Sequence, residues 1–128
     1  MGKIERFEDL KSWQKARKLT NMIYDFSGKG MFAKDFELRN QIRSAAGSSM
    51  HNIAEGFDAG TDAEFCRFLR MSRRSASEVQ SQLYLALDRQ YITEVQRQSA
   101  YNLATEVKRL INGLITYLKQ MTTRLTTT

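Results

Sequence analysis

Proline is absent from this chain, and cysteine and histidine occur once each. At an average usage of roughly 5%, a chain of this size would carry about six prolines. Their absence removes the usual helix kinks and rigid linkers, and points to long uninterrupted helices. A single cysteine, Cys66, excludes an intrachain disulfide and a cysteine-only metal site, and fits a reducing compartment. No run approaches the ~20 apolar residues of a membrane span, so no membrane partner is expected. The start, Met1-Gly2-Lys3-Ile4-Glu5-Arg6, lacks the apolar core of a secretory signal, which makes the cytoplasm the default location. Neither a Gly-rich phosphate loop, nor a paired-carboxylate helix motif, nor a histidine-rich metal spacing occurs. No catalytic residue, cofactor or metal is therefore expected.

What is present is 41% hydrophobic and 27% charged residues in a chain of 128, a composition for one globular domain over residues 1–128. The formal net charge is +6. Such a surplus favours an acidic partner, nucleic acid first, because phosphate arrays release counterions on meeting Lys and Arg. A merely solvated basic surface is the competing reading.

Apolar periodicity divides the chain into four helices. The first, over residues 7–27, carries Phe7, Leu10, Trp13, Ala16, Thr20 and Ile23, with Asp9 near its start as a cap. Ser27-Gly28-Lys29-Gly30 ends it, and Met31-Phe32 are expected to tuck back on the bundle. The second, 35–57, presents Leu38, Ile42, Ala45, Ala46, Ser49, Ile53 and Phe57, a side with small residues that permit close helix approach. Thr61-Asp62-Ala63-Glu64 has capping-box form and opens the third helix, 62–89. Its stripe is Phe65, Phe68, Leu69, Ser72, Ala76, Val79 and Leu83. Thr93-Glu94-Val95-Gln96 is a second box, opening a fourth helix over 94–122. There Ala100, Leu103, Val107, Leu110, Leu114, Tyr117 and Met121 repeat in heptads, and the threonine-rich tail is expected to fray. Four such stripes predict an all-α, antiparallel up-down-up-down four-helix bundle.

The third helix also bears a cationic row, Arg67, Arg70, Arg73 and Arg74, whose guanidinium groups can take phosphates with forked hydrogen bonds. Arg39 and Arg43 on the second helix could extend it, as could Lys108, Arg109, Lys119 and Arg124 on the fourth. The last helix and tail hold five basic and two acidic side chains, half the net charge. The alternatives are a solvated face paired with Glu64 and Glu78, or a contact with another subunit. His51, with Glu55 one turn on, lacks the further partners a general base needs. Cys66 reads as a small packing residue. Met22, Phe26, Tyr84 and Leu85 fall off the main stripes and point to a second apolar surface, hence self-association.

Four stretches carry a resemblance: Phe7-Glu8-Asp9-Leu10-Lys11-Ser12-Trp13-Gln14-Lys15-Ala16-Arg17, then Gln41-Ile42-Arg43-Ser44-Ala45-Ala46, then Asn52-Ile53-Ala54-Glu55-Gly56, then Glu64-Phe65-Cys66-Arg67-Phe68-Leu69-Arg70. In this order the chain resembles the 23S rRNA intervening-sequence, or S23, proteins, which overlap with the bacterial accessory variability proteins of diversity-generating retroelements. The resemblance implies a non-enzymatic homo-oligomer, commonly five bundles around a basic channel. It also implies a role on RNA or as partner of a reverse transcriptase, or a scaffold with no direct nucleic-acid role. The family often has proline before Asn-Ile-Ala-Glu-Gly. Here the chain reads Ser49-Met50-His51-Asn52, so a straighter second helix is expected.

Overall fold

The computed structural model describes the backbone of residues 4–127 and the side chains of residues 4–121. Four α-helices follow in order: α1 (Lys11–Ser27), α2 (Phe36–Phe57), α3 (Asp62–Asp88) and α4 (Glu94–Thr127), with 3-10 turns at Phe7–Asp9 and Phe32–Lys34. Among the described residues there is no strand. α2 packs most extensively on α3, α3 on α4 and α1 on α2, and α1 meets α4 to close the ring. Each helix thus neighbours the next in the chain, the arrangement of an antiparallel up-down-up-down four-helix bundle.

Local chemistry sets the helix starts. The Asp35 carboxylate accepts the Leu38 N–H at 3.1 Å and caps α2. Thr61 accepts the Glu64 N–H at 3.2 Å, but both Glu64 oxygens are engaged by Arg67, so this capping box is half made. The Thr93–Gln96 box is complete, with bonds of 3.1 and 2.9 Å in the two directions. At the N-terminus the expected single helix over 7–27 is broken. Asp9 bonds Arg6 at 3.3 Å instead of capping, and Leu10, extended and buried, turns the chain into α1. α3 ends at Asp88, where the Tyr91 N–H bonds the Ala86 carbonyl and the Gln90 N–H that of Leu87. That pair of bonds is a Schellman motif, and it holds Gln90 at φ 62° without glycine. α4 continues past residue 122 to Thr127, since its backbone bonds need no tertiary partner and no proline stops it. Whether the tail side chains fray lies outside the described residues.

The core has two parts. Leu19, Ile23, Phe32, Leu38, Ile42 and Leu83 gather near the α1–α2 and α3–α4 connections, whereas Leu10, Ile53, Phe65, Leu69, Val107 and Ile111 fill the other half. The α3 stripe is as expected except that Phe68 is only half-buried. On α4 the stripe departs from the heptads: Ala100, Leu103 and Val107 are buried, but Ile111, Ile115 and Leu118 follow, leaving Leu110 and Leu114 half-buried and Tyr117 exposed. A helix of 3.6 residues per turn drifts about 20° per heptad, so over this length the core face moves by one position.

The small residues of α2 do bring a helix close. A Cβ on Gly56 would lie 2.7 Å from the Phe68 Cβ and 3.0 Å from the Phe65 ring, so only glycine fits this crossing with α3. Further along the same seam, the Ser72 hydroxyl donates to the Ser49 carbonyl, and the Ser75 and Ser48 hydroxyls meet at 2.9 Å. Buried Asn52 donates to the Ser48 carbonyl at 2.8 Å. α2 runs without a break through Ser49–Asn52, where the proline is missing.

Candidate functional site

The arginine row of α3 divides on folding. Arg67 turns to Glu64 at 3.0 Å and lies over the Phe68 ring at 4.6 Å, so its charge is offset and one face is covered. Arg70, Arg73 and Arg74 instead line a cavity of about 370 Å³ between α3 and α4, together with Ser77, Lys108 and Asn112. Arg73 donates to the Asn112 side-chain oxygen at 2.7 Å, and Lys108 to the Ser77 hydroxyl at 3.1 Å. Both partners are neutral: they orient the cations without neutralising them. Arg70 and Arg74 make no hydrogen bond or ion pair with any described residue.

Four cations therefore converge from two helices in a groove with no carboxylate on its lining. The α1–α4 side differs, because there Lys15 faces Glu106 at 3.6 Å across the helices. A second cavity, between α2 and α3, carries Glu78 among neutral Asn40, Gln41, Ser44 and Gln82.

Arg39 and Arg43 are not brought to this groove. Arg43 donates to the Ser27 hydroxyl at 2.7 Å and stacks over Tyr24 at 4.4 Å. Arg39 donates to the Ala33 carbonyl at 2.9 Å and stacks over Phe36 at 4.7 Å. Both fasten the α1–α2 corner, where carbonyls at the end of α1 and in the following turn need donors. Arg97, counted among the basic residues of the last helix, is 7% exposed. It is held by Glu94 at 2.6 and 2.8 Å and lies over Tyr84 and Tyr101. The bond from Arg97 lowers the Glu94 pKa, and the same bond raises that of Arg97. Arg124 lies beyond the described side chains.

Sequence reasoning named the groove arginines and offered Lys108 as an extension, but did not name Asn112 or Ser77. The Arg73–Asn112 and Lys108–Ser77 pairs are 39 and 31 residues apart, and no local spacing signals them. His51 and Glu55 are both exposed and make no hydrogen bond to each other. Cys66 is buried in the core beside Phe65 and Leu69. Among the described residues, no group of three or more His, Cys, Asp or Glu is placed to hold a metal ion, and no helix is long and apolar enough to cross a membrane.

Tyr84 and Leu85 are exposed as expected, whereas Met22 and Phe26 pack against the core. Phe32 is buried but its neighbour Met31 is 64% exposed. Tyr24, Met31, Phe36, Leu85 and Val95 all belong to the end of the bundle that carries the α1–α2 and α3–α4 connections, which is consequently rich in exposed apolar surface.

Comparison with solved structures finds the same fold in a protein with unknown function from the S23 ribosomal protein family of Bacteroides thetaiotaomicron VPI-5482. It has a TM-score of 0.76 and 26% identity, over 82% of this chain and 95% of that one. No curated protein matches. The model of the family described as 23S rRNA-intervening sequence protein matches residues 8–113, through all four helices, and the chain belongs to that family.

Proposed function

We propose that this chain is a non-enzymatic nucleic-acid-binding accessory protein of the cytoplasm, which contacts RNA or an RNA/DNA hybrid through the α3–α4 groove. The observation that carries this reading is the convergence of Arg70, Arg73, Arg74 and Lys108 with no lining carboxylate. Cations left without acidic partners retain their full attraction for phosphate, and neutral hydrogen-bond partners hold two of them ready. Arg67, already paired, contributes less. Arg39 and Arg43 are occupied at the α1–α2 corner and lie outside this interface.

In the finer form of the proposal the protein is a homo-oligomer, a pentamer by family likeness. There it holds a reverse transcriptase and its template together in a diversity-generating retroelement. The apolar end formed by Tyr24, Met31, Phe36, Leu85 and Val95 supports a protein contact of this kind. The same end favours the second reading, a scaffold encoded in an rRNA intervening sequence that touches only protein.

Anisotropy titration with a labelled single-stranded RNA at several salt concentrations separates them. The Arg70→Ala/Arg73→Ala/Arg74→Ala variant should keep its circular dichroism and thermal midpoint. Its log–log salt slope should fall by about 2, from three lost phosphate contacts at roughly 0.7 each. Unchanged affinity in this variant overturns the site. Absence of RNA binding at low salt, with stable assembly in sedimentation, establishes the scaffold.

A further inference from the structure

The groove is compact as well as basic. Its volume of about 370 Å³ falls at the lower end of the roughly 300–1,000 Å³ typical of small-ligand pockets. Arg70 to Arg74 spans four residues, about 6 Å of helix. A single strand advances about 3.4 Å per charge, so this length meets no more than about two phosphates. Lys108 and Asn112 then form the facing wall, and the donors converge on one place instead of tracking a backbone.

An internal phosphodiester carries one charge and two free oxygens. A terminal phosphate monoester carries about −1.5 to −2 at neutral pH and three acceptor oxygens. Four cations with no lining carboxylate match the second better than the first. The pre-set Arg73 and Lys108 supply donors from two walls, and the two unpartnered guanidinium groups of Arg70 and Arg74 supply forks for the remaining oxygens.

Resting on the nucleic-acid reading above, we propose that the Arg70–Arg73–Arg74–Lys108 groove is a phosphate-monoester site that takes the terminal phosphate of a single-stranded oligonucleotide. The protein would therefore prefer phosphorylated strand ends to strand interiors.

The test uses the full chain and three single-stranded RNA probes: one with a 5′-phosphate, the same strand with a 5′-hydroxyl, and a 5′-hydroxyl strand one nucleotide longer that adds an internal phosphate. The 5′-phosphorylated probe should bind about tenfold tighter than the other two, the increment expected of new charge-assisted bonds. That preference should vanish in Arg70→Gln/Arg74→Gln. Adenosine 5′-monophosphate, but not adenosine, should displace the phosphorylated probe from the unaltered protein, a readout that requires no variant. Equal affinity for the three probes, or no displacement by the monophosphate, overturns the monoester site while leaving nucleic-acid binding intact. No binding of any probe overturns both.

Discussion

Gly56 and Gly47 stand nine positions apart on α2 and answer to different constraints. A methyl at Gly56 would meet the Phe68 Cβ, an atom fixed by its backbone, so Gly56→Ala must push α2 and α3 apart. We expect a loss of about 1–3 kcal/mol in urea unfolding, the usual cost of overpacking. A methyl at Gly47 would meet only the His51 ring, at an ordinary 3.7 Å. Gly47→Ala should accordingly stabilise the protein by about 0.5–1 kcal/mol through helix propensity alone. The Asn-Ile-Ala-Glu-Gly stretch thus includes a steric requirement at its glycine, while its Asn52 bonds back to Ser48.

Asp35 shows how one side chain can join three elements. It caps α2 through the Leu38 N–H and accepts the Tyr91 hydroxyl at 2.8 Å, while the Tyr91 ring stacks on Phe32. The Leu38 bond, then the Tyr91 bond, lowers the Asp35 pKa from its ordinary 3.8, and the Asp35 bond raises that of Tyr91 from 10.0. A depressed carboxyl contributes stability above about pH 3.8 that is lost as pH falls through its lower folded value. A raised phenol contributes below about pH 10 and loses its contribution as pH climbs through the higher folded value. Thermal midpoints should therefore fall at both extremes. Tyr91→Phe should flatten the alkaline loss, and it should only soften the acid one, because the Leu38 bond remains.

Among the elements, α4 is the one whose core face could not be read correctly from its repeat. Counting by heptads selects Leu110, but the structure buries Ile111 completely and leaves Leu110 partly exposed. Ile111→Ala should cost about 2–5 kcal/mol in chemical denaturation, the range for a buried aliphatic side chain. Leu110→Ala should cost distinctly less, and the reverse order would mean that the α4 register is wrong. α4 also has the only start in the bundle at which both halves of a capping box are made among the described residues. Thr93→Ala should remove about 1 kcal/mol. The α3 start keeps its backbone acceptor at Thr61 but gives the Glu64 carboxylate to Arg67.

For the molecule as a whole, the formal +6 is unevenly neutralised. Arg97 is buried against Glu94, Lys15 faces Glu106 and Arg67 faces Glu64, whereas the α3–α4 groove keeps four unopposed cations. Like charges one turn apart repel, and salt screens them. Raising NaCl from ~20 to ~300 mM should raise the thermal midpoint of the free protein and at the same time weaken its binding to RNA, two effects of opposite sign from one groove. Replacement of Arg70 and Arg74 by Gln should diminish both.

The sequence by itself determined the number of helices, their order and nearly all of their ends, because those follow from local chemistry. Missing proline leaves helices unbroken, Thr61 and Thr93 cap their own neighbours, and apolar spacing of three and four residues makes one face of each helix insoluble alone. Only the tertiary structure decided which arginines stand together. Arg67 and Arg70 lie on one helix face but face different neighbours, and Arg43 was claimed by a carbonyl and a hydroxyl at the end of α1. The groove was made by Lys108 and Asn112, more than thirty residues from the arginines they join. Charge is written along the chain, but whether a charge is opposed depends on distances across helices, which no repeat in the sequence encodes.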